Sequence, residues 1–251
     1  MNKLASTLGV AVLGSCLAAL FASPALAGIT FTLEGAGTQK TTLGGDIFTE
    51  TFEGMSKGIG TNVSFAGGLG TMSVAKIEGA NKYGGADGVG NYLRGGSSIT
   101  FNEAQAYMGF WWSAGDGTNS IELFDDADES LGFYSTSLVS DFIDSLPQAE
   151  RTAYSGNPNQ KFLNQNSGEY YSYLNFFGTE GSKIKRVELN GVNFESDNFS
   201  FSKTARSTTG DILSGEATEV PEPTTILGLL ATAVVGMVSV RRRQSVAAVI
   251  S

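Results

Sequence analysis

The side chains able to do chemistry in this chain are almost all oxygen donors. Its 251 residues include 25 aspartates and glutamates, no histidine and a single cysteine, Cys16. Without histidine, Ser-His-Asp and Cys-His nucleophile systems and most catalytic zinc sites are excluded. Carboxylates alone can still ligate calcium, or flank a glycosidic bond in a pair about 5 to 10 Å apart. Asp197 and Asn198 lie in a stretch, residues 193–201, that reads as a strand, where both residue types are disfavoured. A carboxylate there needs a partner or solvent. Calcium suits, because it takes several oxygens from carboxylates, amides and carbonyls. Glu53 could supply another ligand if the first and last strands pair. Glu53, Glu103 and Glu195 are the glutamates open to a glycosidase reading, although no Glu-x-Asp-x-x-Glu strand is present.

Other polar motifs read as turns. Asp116 and Asn119 close a turn in which such side chains bond their own backbone. Asp125-Asp126-Ala127-Asp128-Glu129 lacks the glycine and the terminal glutamate of an EF-hand loop and reads as a solvated hairpin tip. Gly84-Gly85-Ala86-Asp87-Gly88 lacks the Gly-Lys-Ser/Thr that completes a phosphate loop.

Aromatic residues offer a second chemistry. In a strand over residues 106–113, Met108, Phe110 and Trp112 point one way and Tyr107, Gly109 and Trp111 the other. The first set reads as core. Trp111 could be a platform on which a sugar ring stacks, with Gly109 leaving room beside it. The alternative is that both tryptophans are buried, Trp111 under a loop. Tyr171, between Tyr170 and Tyr173, poses the same choice.

The elements that must position these residues are short strands. Residues 29–33 and 184–189 alternate apolar and polar, and similar runs fall at 61–65, 71–77, 98–101, 106–113, 120–124, 130–135, 170–177 and 193–201. Gly67-Gly68, Gly84-Gly85, Asp87-Gly88 and Asn190-Gly191 punctuate them. One helix is expected from Ser137 to Leu146, capped by Ser137, with Leu138, Phe142 and Leu146 on one face. This pattern predicts an all-β domain over residues 28–201, an antiparallel two-sheet sandwich of jelly-roll type. Residues 202–219, rich in Ser, Thr, Gly and charge, read as a flexible linker. The stretch from Gly28 to Val240 holds all 25 acidic residues against twelve basic ones, a net charge of −13. Such a surface repels phosphate backbones, so nucleic acid is not an expected partner.

Both termini carry targeting signals. Lys3, the apolar run Leu8 to Phe21 and Ala25-Leu26-Ala27 form a signal peptide over residues 1–27, cleaved by signal peptidase to leave Gly28 first. Cys16 would depart with it, leaving no thiol or disulfide. Leu13-Gly14-Ser15-Cys16 loosely resembles a lipoprotein box, the competing reading. Near the other end, Val220-Pro221-Glu222-Pro223 precedes an apolar run from Ile226 to Val240, closed by Arg241-Arg242-Arg243. The prolines hold the motif extended, the run approaches the length of a transmembrane helix, and the arginines fix its far end in the cytoplasm. A plain membrane anchor needs only the helix and the arginines.

The order over residues 220–243 resembles the PEP-CTERM sorting signal of Gram-negative bacteria. The resemblance implies recognition by an exosortase, a membrane transpeptidase, with removal of the helix and release or surface attachment of the protein. The tail, residues 244–251, is longer and more apolar than usual. Three stretches in the body, Thr51 to Gly54, Met108 to Asn119 and Phe194 to Phe199, are similar to sandwich domains of exported PEP-CTERM proteins. Together these features predict a protein exported through the inner membrane, transiently anchored by its C-terminal helix, then placed at the cell surface or outside. Its domain is expected to be non-enzymatic, structural or weakly bound to exopolysaccharide, with a structural calcium ion as the one candidate cofactor. The alternative is a polysaccharide-active hydrolase on a jelly-roll scaffold.

Overall fold

The computed structural model describes residues 28–65 and 67–212. The signal peptide, the second part of the linker, the sorting signal with its transmembrane helix, and the tail lie outside the described residues. Among the described residues no helix is long and apolar enough to cross a membrane.

Thirteen strands are formed among the described residues. They are β1 (Gly28–Leu33), β2 (Phe48–Glu50), β3 (Gly58–Ser64), β4 (Gly70–Gly79), β5 (Asn91–Arg94), β6 (Ser97–Gln105) and β7 (Tyr107–Ser113). Then follow β8 (Ser120–Phe124), β9 (Ser130–Ser135), β10 (Ser172–Thr179), β11 (Ile184–Asn190), β12 (Glu195–Ser202) and β13 (Asp211–Ile212). Two helices, α1 (Thr136–Ser145) and α2 (Gln148–Tyr154), separate β9 from β10.

All the strand pairs are antiparallel and belong to one continuous sheet, in the order β13-β1-β10-β7-β12-β5-β4-β6-β11-β8-β9, with β2 on β12 and β3 on β4. The expected separation into two sheets is therefore replaced by a single sheet that curls until it is nearly barrel-shaped. Phe31 of β1 and Tyr134 of β9 meet at 4.8 Å between ring centroids, close to where the curl would shut. A long twisted sheet with one apolar face buries that face by wrapping around it.

Period-two alternation fills the interior. Phe31 and Leu33 of β1, Leu174 and Phe176 of β10, Met108, Phe110 and Trp112 of β7, and Phe199 and Phe201 of β12 share the main core. Rings stack through it: Phe110 lies 4.8 Å from Phe199, and Phe31 lies 4.8 Å from Phe176. Trp112, expected to be core, is 3 % exposed.

Helix α1 has Ser135 rather than Ser137 at its N-cap position, two residues earlier than expected, and no side chain caps it. Its buried positions are Thr136, Val139 and Ile143, while Leu138, Phe142 and Leu146 flank the core half-buried. The expected face is thus displaced by about one position. A second helix, α2, follows where a single helix was expected.

The chain after β12 does not leave the domain at Ser202. Arg206 pairs with Asp46, the Thr32 hydroxyl donates to the Thr209 carbonyl at 2.5 Å, and β13 pairs with β1. The stretch expected to start a free linker is held on the sheet as far as Ile212.

Candidate functional site

Strand β12 carries Asp197 and Asn198, and a bulge accommodates them there. The register of β12 against β7 shifts between Asp197 and Ser200, and Asn198 has φ 49. Asparagine tolerates that left-handed conformation better than most residues, and bulges accommodate it. Asp197 is 2 % exposed, and both of its oxygens accept backbone amides, Oδ2 from Ala86 and Oδ1 from Asn198, each at 2.7 Å. The Asn198 side-chain amide donates to the Gln39 carbonyl at 2.7 Å. Its own carbonyl accepts the Tyr173 hydroxyl at 3.2 Å. The pair acts as a clasp that fastens two loops, one through Gln39 and one through Ala86, onto β12.

Burial pushes the Asp197 carboxyl up to about 7, against the two amides, with the charges of Glu53 and Asp87 adding to the rise. Two positions earlier on the same face, Glu195 is 3 % exposed and is pushed up to about 8 by burial, opposed by Arg94 and reinforced by Glu169 and Asp116. The Arg94 guanidinium meets Glu195 Oε1 at 3.4 Å, while Glu195 Oε2 and the Ser113 hydroxyl have no hydrogen-bond partner.

The donors expected to hold calcium do not form a cage. Glu53 is exposed and accepts the Asn91 amide at 3.1 Å. The oxygens of Asp197 are committed to amides, and Asn198 is bonded to Gln39. Among the described residues no group of three or more His, Cys, Asp or Glu side chains could hold a metal ion. The clasp is therefore expected to hold without an ion. Millimolar calcium or chelator should leave the melting temperature within about 1 °C, whereas an ion bound at a hundredfold excess over Kd would raise it by about 2 to 8 °C. A calcium-dependent rise that Asp197→Asn abolishes would restore Glu53, Asp197 and Asn198 as ligands.

Neither aromatic candidate offers a face to solvent. Trp111 is 0 % exposed and Tyr171 2 %, and their rings meet at 5.9 Å in a second cluster with Ala86, Ala114 and Tyr173. Two loops cover this face of the sheet, knitted together by Asn157, whose side chain donates to the Lys82 carbonyl, and Asn159, which donates to that of Gly85. The Tyr171 hydroxyl donates to the Lys82 carbonyl at 2.7 Å. The room expected beside Gly109 is filled: a Cβ there would meet the Tyr107 hydroxyl at 2.4 Å and the Tyr173 ring at 2.8 Å. Trp111 sits under a loop.

Asp116 and Asp125 bond within their own turns as expected, whereas Asn119, 2 % exposed, does not: its side-chain amide donates to the distant Asn193 carbonyl at 3.1 Å. Asp116 Oδ1 accepts the Thr118 amide and hydroxyl, and Asp125 Oδ1 accepts the amides of Ala127 and Glu129 at the β8–β9 tip. Of the three candidate glutamates, Glu103 is an exposed partner of Lys203 at 2.7 Å, Glu53 bonds a backbone amide and Glu195 is buried.

Two hollows among the described residues bear on a site. One, at the α1 end of the core, is apolar and barely admits a water, with Phe31, Trp112, Asn119 and Tyr134 among its walls. The other is an open concavity of about 510 Å³ lined by Lys57, Gly79, Ala80, Val89, Gly90 and Lys161. Neither lining includes a carboxylate side chain. The lysines carry no motif, so no sequence signal marks the second hollow.

No curated protein and no solved structure matches the chain. Residues 219–243 match the family model of the PEP-CTERM protein-sorting motif, and the chain therefore carries that motif over the stretch from Val220 to Arg243 that resembled it.

Proposed function

We propose that the protein is an exosortase substrate, exported and then released or displayed at the cell surface, whose β domain serves the extracellular polymer layer without catalysing a reaction. The observation that carries this reading is the sorting motif at residues 219–243. In that motif Pro221-Glu222-Pro223 stands against the apolar run and the arginines follow it, the arrangement that a transpeptidase at the membrane would need. Signal peptidase and exosortase are the partners during export, and exopolysaccharide is the partner afterwards. The non-catalytic reading is supported by Asp197, whose carboxylate is taken up in fastening a loop onto β12.

Replacing Pro221, Glu222 and Pro223 together by alanine is expected to leave a full-length form in the membrane fraction and little protein outside the cell. The apolar run and arginines remain in that variant, so insertion should be normal and only processing should fail. Release equal to that of the unaltered chain would reduce the segment to a simple anchor.

A further inference from the structure

We infer that residues 213–216 extend β13 along the bare edge of β1, so that the tether to the sorting motif is built into the sheet. The strand order ends with β13 on β1 at one side and with β9 at the other, and these two edges meet where Phe31 touches Tyr134. On one flank β1 pairs with β10 along its whole length, from Gly28 to Leu33. On the other flank β13 covers only Thr32 and Leu33. One hydrogen bond tells which backbone groups are left over. The Glu34 amide donates to the Tyr173 carbonyl at 2.9 Å, and in an antiparallel pair residues two apart turn to the same neighbour. Gly28, Thr30 and Thr32 therefore aim their amides and carbonyls at β10, whereas Ile29, Phe31 and Leu33 aim theirs at the β13 side. Leu33 faces Asp211 there, but among the described residues no strand pairs with Ile29 and Phe31 on that side. An edge of this kind is a template for another strand.

Direction and length name the occupant. β13 runs antiparallel to β1, with Asp211 opposite Leu33 and Ile212 opposite Thr32, so the chain that follows is aimed along the bare part of the edge. The same register puts Leu213 opposite Phe31, Ser214 opposite Thr30, Gly215 opposite Ile29 and Glu216 opposite Gly28, where β1 begins. Residues directly opposite share a face. Leu213 thus joins Phe31 on the core side, while Ser214 and Glu216 take the outer side with the half-buried Thr30 and Gly28. Leu213 is the one large apolar residue of 213–219. Its place adjoins the apolar hollow walled by Phe31 of β1 and by Tyr134 and Ser135 of β9. The segment is already fastened just upstream, through Arg206 to Asp46 and Thr209 to Thr32, so it meets the edge at high effective concentration and a second copy must compete with it. Seven residues separate Ile212 from Val220. With four of them on the sheet three remain, about 10 Å of extended chain, and the sorting motif stands close against the domain.

The test uses the full-length protein carrying Cys16→Ser, so that introduced thiols stand alone, and follows disulfide formation under mild oxidation by non-reducing gel and intact mass. Thr30→Cys with Ser214→Cys sets two thiols in a non-hydrogen-bonded pair, Cα atoms about 4.5 Å apart and within reach of a disulfide. This pair is expected to close within one chain. Thr30→Cys with Gly215→Cys sets them on opposite faces and should close at least about tenfold more slowly. Equal rates for the two pairs, or no closure of the first, would overturn the pairing. Bridges between chains would give the edge to a second copy and overturn the assignment to residues 213–216. Hydrogen exchange supplies a readout without new thiols. The Ile29 and Phe31 amides should exchange at least about tenfold faster in Gly215→Pro, which removes an N–H aimed at β1, than in Ser214→Pro, whose N–H points away. Equal exchange in the two proline variants would also count against the added strand. None of these outcomes bears on the sorting reading, which is tested by the Pro221 to Pro223 variant.

Discussion

Trp111→Ala is expected to destabilise the domain by about 3 to 5 kcal/mol, as much as Trp112→Ala. The two side chains point to opposite faces of β7, yet both are closed off, one in the main core and one in the cluster with Tyr171 and Tyr173. Removing either leaves a cavity whose surroundings cannot collapse. For Trp112 these are the packed rings of the barrel interior. For Trp111 they are a sheet and two loops fastened by Asp197, Asn157 and Tyr171. A loss of that size is a large share of the stability of a typical domain, about 5 to 15 kcal/mol. Chemical denaturation of both variants in parallel checks it. A loss below about 1 kcal/mol for Trp111 would mean that its cover opens readily and that the ring is available to a ligand.

The second large effect is on pH. Glu195 and Asp197 have folded-state pKa values of about 8 and about 7, raised chiefly by burial from unfolded values near 4. A raised folded pKa means that the native state holds the proton more tightly. The stabilisation is complete below about pH 4 and falls as pH rises towards 7 and 8, where the folded carboxyls also ionise. Between pH 5 and pH 9 the domain should lose on the order of a few kcal/mol. The groups facing Glu195 are Arg94, Glu169 and Asp116, and those facing Asp197 are Glu53 and Asp87, so the surrounding charge is mostly negative. Glu195→Gln, which keeps the shape and removes the ionisation, should flatten the profile. The opposite slope belongs to Asp46, held low by its hydrogen bond to Arg206, whose share is lost as pH falls below about 4. Melting temperatures from pH 4 to 9 decide the matter; a profile that is flat or rises from pH 5 to 9 would contradict the burial of these two acids.

How much of this was legible in the sequence depended on how local the signal is. The alternation in β1 and β11, and the division of β7 into two faces, followed from a period of two that the strand itself imposes. Strands β2, β5 and β13, with between two and four residues each, are too short to show a period, and neighbours rather than pattern define them. Asp197 and Asn198 were visible as residues out of place in a strand. Their cause was read as a ligand because a bulge is a matter of register with β7, which no stretch of one strand reveals. Trp111 shows a similar limit. Its cover comes from loops rich in Gly and Asn that look like ordinary turns, and only Asn157, Asn159 and Tyr171 bonding across them make a lid. The pairing of β13 with β1 is equally non-local, since Thr32 and Thr209 are 177 residues apart. The C-terminal motif, by contrast, is written in consecutive residues, and it was legible in full.

That motif carries the central claim, and intact mass of the protein recovered outside the cell tests it most directly. The expected mass is that of a chain beginning at Gly28 and lacking the apolar run Ile226 to Val240 and the arginines that follow it. A recovered chain that still contains Arg241 to Arg243, or the same mass from the variant with alanines at Pro221 to Pro223, would contradict processing by an exosortase.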